Sequence, residues 1–152
     1  MNVRSFISRF SVVVTAAAVI AISPLVDARD DHLKMPLDAA LARAQASGKL
    51  ASGIKLFFGK QKYPKPTLQI GTTHTNKKTN FSNKTDKEGC EWAFMSAMIS
   101  LTQDARDKGG NAVVNIRSNY KDVEFSSETE YECGAGNIVG GVAFVGEVVK
   151  LP

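Results

Sequence analysis

Histidine, cysteine and tryptophan are scarce in this 152-residue chain, at two, two and one. With only His32 and His74 to draw on, a histidine-based catalytic pair or a histidine-rich metal centre has almost no material. No serine sits in a Gly-x-Ser-x-Gly elbow, and no His-Glu-x-x-His pair occurs. The Gly-x-x-x-x-Gly-Lys-Ser/Thr loop that cradles phosphate is missing as well, which argues against ATP use. Gly134, Gly136, Gly140 and Gly141 imitate a nucleotide loop. They lead into a strand rather than a helix, so they offer no helix N-terminal donors to phosphate and read as a hairpin turn. The chain is therefore expected to be no enzyme and to carry no cofactor.

Long apolar runs are equally rare. The longest, Val12 to Ile22, follows Arg4 and Arg9 and precedes Val26-Asp27-Ala28. It is shorter than the ~20 residues that span a bilayer. A charged start, a short apolar middle and a small-residue end are the parts of a signal peptide, with cleavage expected after Ala28. The sequence thus predicts a periplasmic or secreted protein with no stable membrane insertion after cleavage. Removing residues 1–28 takes away Arg4, Arg9 and Asp27 and lowers the formal net charge from +4 to +3. The remaining ~124 residues suit one domain, 29–152.

Two cysteines in an exported chain, Cys90 and Cys133, are read as one disulfide, because that compartment is oxidising and the close Cys-x-x-Cys spacing of redox enzymes is absent. Closing a loop of that length contributes ~3–4 kcal/mol in the chain-entropy picture.

What the sequence does contain is one long helical pattern. Phe94, Met98, Leu101 and Ala105 recur at spacings of three and four, flanked by Trp92, Met95 and Ile99. Thr85 or Asp86 is the expected N-cap, Glu88 or Glu91 favours the dipole at the start, and Gly109 or Gly110 supplies the stop. This predicts a helix over 86–108, followed by a buried strand at Asn111–Ile116. A shorter amphipathic helix is expected within 30–52, with Leu37, Ala40, Leu41 and Ala44 on one side and Gly48 or Gly53 ending it.

Strands are predicted at Ile54–Phe58, Thr67–Thr75 with Gly71 as a bulge or close-approach position, Val123–Cys133 and Ile138–Leu151. In Val123–Cys133, alternation puts Glu124, Glu128, Glu130 and Glu132 on a wet face. The fold class is therefore α+β: an antiparallel sheet of about five strands packed on the long helix.

Lysines cluster in two stretches read as loops around the second of these strands. Lys60, Lys62 and Lys65 fall in KQKYPKP, and Lys77, Lys78 and Lys84, with Lys87, fall between Asn76 and the long helix. The two loops are either independently solvated or share one sheet edge and form a docking surface for an envelope protein or an anionic envelope component. Nucleic acid is not an expected partner, since the basic loops lack interleaved aromatics beyond Tyr63 and Phe81. The glutamate strand and His74 are the only candidates for a divalent cation, and a solvated face explains them as well.

The blocks ARDDHL, KLFFG, TNKKTN, CEWAF, GGNAVVNI, SSETEYECGAG and GEVVKL resemble those of small exported proteobacterial proteins that often carry the label excinuclease ATPase subunit. The label implies no ATPase here, because the phosphate loop is absent. More distantly, the order helix, GGNAVVNI, hairpin is similar over residues 68–151 to the YbjQ-type domain, which assembles as rings and is sometimes called heavy-metal-binding. It is also similar to the C-terminal domain of RcsF, a lipoprotein that senses envelope stress through protein partners. The resemblance implies an α+β envelope binding module with a stress-related role, or else a homo-oligomeric small-ligand or metal binder built by pairing the glycine-bearing last strand across subunits. The chain departs from RcsF in lacking a lipid-bearing cysteine and in having two cysteines rather than four.

Overall fold

A computed structural model describes residues 29–152; the expected signal segment lies outside the described residues. The elements are β1 (Asp31–Pro36), α1 (Leu37–Ala46), β2 (Lys55–Phe58), β3 (Leu68–Asn80), α2 (Asp86–Asp107), β4 (Ala112–Tyr120), β5 (Val123–Phe125), β6 (Glu130–Ala135) and β7 (Val139–Lys150).

α2 forms where the periodicity predicts it. Thr85 caps it, its hydroxyl accepting from the Glu88 N–H while the Glu88 side chain accepts from the Thr85 N–H, so two orphan donors are satisfied reciprocally. Lys108 is the C-cap rather than the last helical residue. Gly109 takes φ +81°, its N–H reaches the Arg106 carbonyl, and the Gly110 N–H reaches Ala105. This pair of bonds is a Schellman stop. Phe94, Met98, Leu101 and Ala105 are fully buried, whereas Trp92 is 47 % exposed.

The sheet departs from expectation in three ways. It has seven strands, and it is mixed and curled rather than antiparallel throughout: β2 runs parallel to β4. The chain between β2 and β4 contains β3 and the whole of α2, a crossover long enough to bring two strands back in the same direction. The expected strand Val123–Cys133 is split. Ser127 Oγ accepts from the N–H groups of Thr129 and Glu130, a local turn that competes with the ladder. Finally, β1 pairs antiparallel with β6 from Asp31↔Ala135 to Pro36↔Glu130, in a stretch expected to be the polar lead-in to a helix. Only Leu37–Ala46 of that stretch is helical, and the chain leaves it through Gly48 at φ +67°.

β7 is the central strand. One edge is paired with β3 along its whole length, with a register shift between Gln69 and Gly71, where the sequence predicts a bulge or close-approach position. The other edge is shared by β6 at Gly140 and Gly141 and by β4 from Phe144 to Val149. Within one chain, both edges of this last strand are thus occupied by its own neighbours. Val142, Phe144 and Val148 face α2 in the main core, while Val149 joins Ala112, Val114 and Leu151 on the opposite face under Phe57 and Tyr63.

Three devices fix the first turns of α2 to the sheet. Cys90 and Cys133 are joined, tying the helix to β6. The Phe81 ring sits between Gly89 of α2 and Gly140 of β7, where an added Cβ would come within 2.5 Å of the ring at either glycine. Phe94 packs on Tyr131 with ring centroids 4.6 Å apart and edge-on to Phe144 at 5.6 Å, geometries that add to plain area burial.

Tyr131 is 1 % exposed and its hydroxyl has no partner among the described residues; burial, with Glu91 adding to it, pushes the phenol well above its ordinary pKa. A desolvated, unbonded hydroxyl costs free energy. Tyr131→Phe is therefore expected to be neutral or to stabilise by about 1 kcal/mol in denaturant unfolding. A loss of more than that would show that the hydroxyl makes a bond.

Candidate interaction site

In the β3–β7 ladder, Gly71, Thr73, Thr75, Lys77 and Thr79 stand opposite Val148, Gly146, Phe144, Val142 and Gly140. Two contacts set the direction of the backbone groups: the Lys108 Nζ donates to the Thr72 carbonyl at 2.9 Å, and the Lys84 Nζ donates to the Asn80 carbonyl at 3.0 Å. Since a strand alternates its hydrogen-bonding sides, Thr72, His74, Asn76, Lys78 and Asn80 turn their backbone groups away from β7. No other strand pairs with β3 among the described residues. Its outer edge is thus closed by a lysine at each end and open from His74 to Lys78.

A groove of about 540 Å³ runs along that opening. Its β3 wall comes from His74 to Lys77 and its α2 wall from Ser100, Gln103, Asp104, Asp107 and Lys108. The helix brings these residues to one side because they recur at three and four positions, on the flank of the buried stripe. Burial would raise the Asp104 carboxyl, but the Lys108 ammonium 2.7 Å away, together with Thr73 and His74, outweighs it and holds that carboxyl below its ordinary range. Asp107 accepts from Gln103 Nε2 at 2.8 Å and has no cationic partner among the described residues. Charges of both signs and exposed backbone groups suit recognition of another polypeptide's main chain.

The lysines singled out from sequence do not share one edge. Lys60 and Lys62 follow β2, and in the sheet β2 is separated from β3 by β4 and β7. Lys65 lies just before Thr67, whose N–H donates to Lys150. Lys77 and Lys78 are in β3 itself, not in a loop, some ~30 Å of strand further along. Lys84 closes the far end of the open edge. Only Lys77, Lys78 and Lys84 therefore belong to the candidate site.

Of the four glutamates expected on a wet face, Glu124, Glu128 and Glu130 are exposed and one is placed differently. Glu132 is 4 % exposed rather than wet: His32 Nδ1 lies 2.7 Å from one oxygen, and Lys34 Nζ donates to the other at 2.9 Å. This cluster anchors β1 to β6. Its signal in the sequence was the alternation of His32 and Lys34, legible only once that stretch is a strand. Glu124 is paired with Arg117 at 2.8 Å. Among the described residues no group of three or more His, Cys, Asp or Glu side chains is arranged to hold a metal ion.

No protein-family model, curated protein or solved structure matches the chain.

Five carboxylates among the described residues lie below their ordinary pKa range: Asp30 through Lys121, Asp86 through Arg29, Glu88 through the Thr85 N–H, Glu124 through Arg117, and Asp104, where Lys108 and its other neighbours outweigh burial. A depressed folded-state pKa contributes stability above the unfolded value, and that contribution is lost as pH falls through the folded value. The melting temperature is expected to hold above about pH 4 and to drop below it. A melting temperature unchanged between pH 6 and 3 would show that these pairs contribute nothing.

Proposed function

We propose that this is an exported envelope protein that acts by binding rather than by catalysis: residues 1–28 serve as a signal peptide cut after Ala28, and the folded part docks an extended segment of a protein partner along β3. The open edge from His74 to Lys78, lying against a charged groove, carries the reading. An added strand satisfies its main-chain hydrogen bonds on such an edge, and pockets beside it select side chains. The disulfide suits an oxidising compartment. Lys77, Lys78 and Lys84 then take the role first given to the wider lysine set, with Lys60, Lys62 and Lys65 as solvated loop residues. A stress-related role fits a binding module of the envelope.

A second reading, a small polar ligand held in the same groove, is favoured by its volume, which lies within the range of ligand pockets. Its polar, open walls favour a polypeptide instead.

The test is site-specific photocrosslinking in the periplasm, with a photoreactive residue at position 76 or at position 60, read by intact mass. An adduct of protein size from position 76 and none from position 60 is expected, on a chain beginning at Arg29. Adducts from position 60 alone, or none from either, would overturn the docking reading.

A further inference from the structure

Resting on the docking reading above, we infer that the partner strand is β3 of a second copy of this chain, paired antiparallel about a two-fold axis through Asn76.

The edge is symmetric in a way that a generic peptide site need not be. Its two closing lysines take the carbonyls of Thr72 and Asn80, which lie equally far from Asn76 on either side. Pairing Asn76 with itself places His74 opposite Lys78 at both ends. Every outward N–H and C=O of the open stretch then finds a partner, giving about six backbone hydrogen bonds in the narrow-pair pattern. Two-fold interfaces are self-complementary, the same patch serving on both copies, and an antiparallel strand edge is such a patch.

Charge agrees with this register. On the side facing α2, the pairing sets Lys77 of the second copy opposite Thr75. Thr75 lines the groove whose other wall carries Asp104 and Asp107. Lys77 makes no ion pair among the described residues, and Asp107 has only the neutral Gln103 donor. The dimer brings an unpaired cation to an unpaired anion twice, once in each copy. The lysines at Thr72 and Asn80 stop the pairing from spreading, which is how an edge of this length is kept from open-ended growth. The result is a closed dimer rather than a fibre.

Sedimentation of the mature protein across a concentration series tests this. A reversible monomer–dimer equilibrium is expected, weakened by salt. Asn76→Pro removes an outward N–H from each copy without touching the β7 ladder, and is expected to raise the dissociation constant at least about tenfold. Lys77→Glu is expected to weaken the dimer and Lys60→Glu to leave it unchanged. As a check that survives poor folding of the proline variant, Asn76→Cys is expected to give a covalent dimer on mild oxidation, since narrow-pair Cα atoms stand about 5.5 Å apart, within disulfide reach. A strict monomer that still yields a position-76 adduct with another protein would overturn the dimer and leave the docking reading intact. A strict monomer with no adduct would overturn both. A dimer indifferent to Asn76→Pro and Lys77→Glu would place the interface elsewhere and overturn the inference.

Discussion

The structure depends on β7 being paired on both edges. One twelve-residue strand holds β3 along one side and divides the other between β6 and β4. This strand is covered on both faces over much of its length: Val142, Phe144 and Val148 fill the core beneath α2, and Val149 fills the small core on the reverse, where Glu147 accepts from Asn115 Nδ2. Where neighbours come closest it has no side chain to offer. A Cβ at Gly141 would lie 2.3 Å from the Lys77 carbonyl oxygen, and one at Gly140 would strike the Phe81 ring. β3 pairs with this strand and with no other among the described residues, and is therefore an edge.

The helix is the second fixed element. Its apolar stripe covers the sheet, and its first turns are held by the disulfide, the Phe81 wedge and the aromatic contact of Phe94 with Tyr131. Its last turn reaches back to β3 through Lys108. α2 therefore does two jobs with two faces. The buried one organises the core, and the polar one walls the groove beside the open edge.

Local signals made much of this legible in the sequence. The stripe of α2, its Thr85 cap, its glycine stop and the bulge at Gly71 all follow from spacing and residue type, and the Cys90–Cys133 bridge joins the two cysteines that the chain contains. What was hidden depended on partners far along the chain. The stretch TNKKTN reads as a loop because an edge strand with a wet side carries no apolar alternation, and only its ladder with β7 makes it extended. Likewise DHLKMP looks like a helix lead-in until β6 lies beside it, and Glu132 looks solvated until His32 and Lys34 enclose it. The parallel pairing of β2 with β4 is a property of the crossover, which residue patterns do not encode. The site moved for the same reason: two lysine groups flanking β3 in sequence are set apart by the topology of the sheet.

An edge strand left open in its middle and closed at its ends by lysines is an invitation to pair that is limited in length. That polarity of β3 underlies the functional account, and residue-resolved amide exchange of dilute, monomeric protein measures it directly. The account predicts alternation: slow exchange at Thr73, Thr75 and Lys77, whose N–H groups are directed to β7, and fast exchange at His74, Asn76 and Lys78. Equal protection of all six amides, or fast exchange at Thr75, would contradict it.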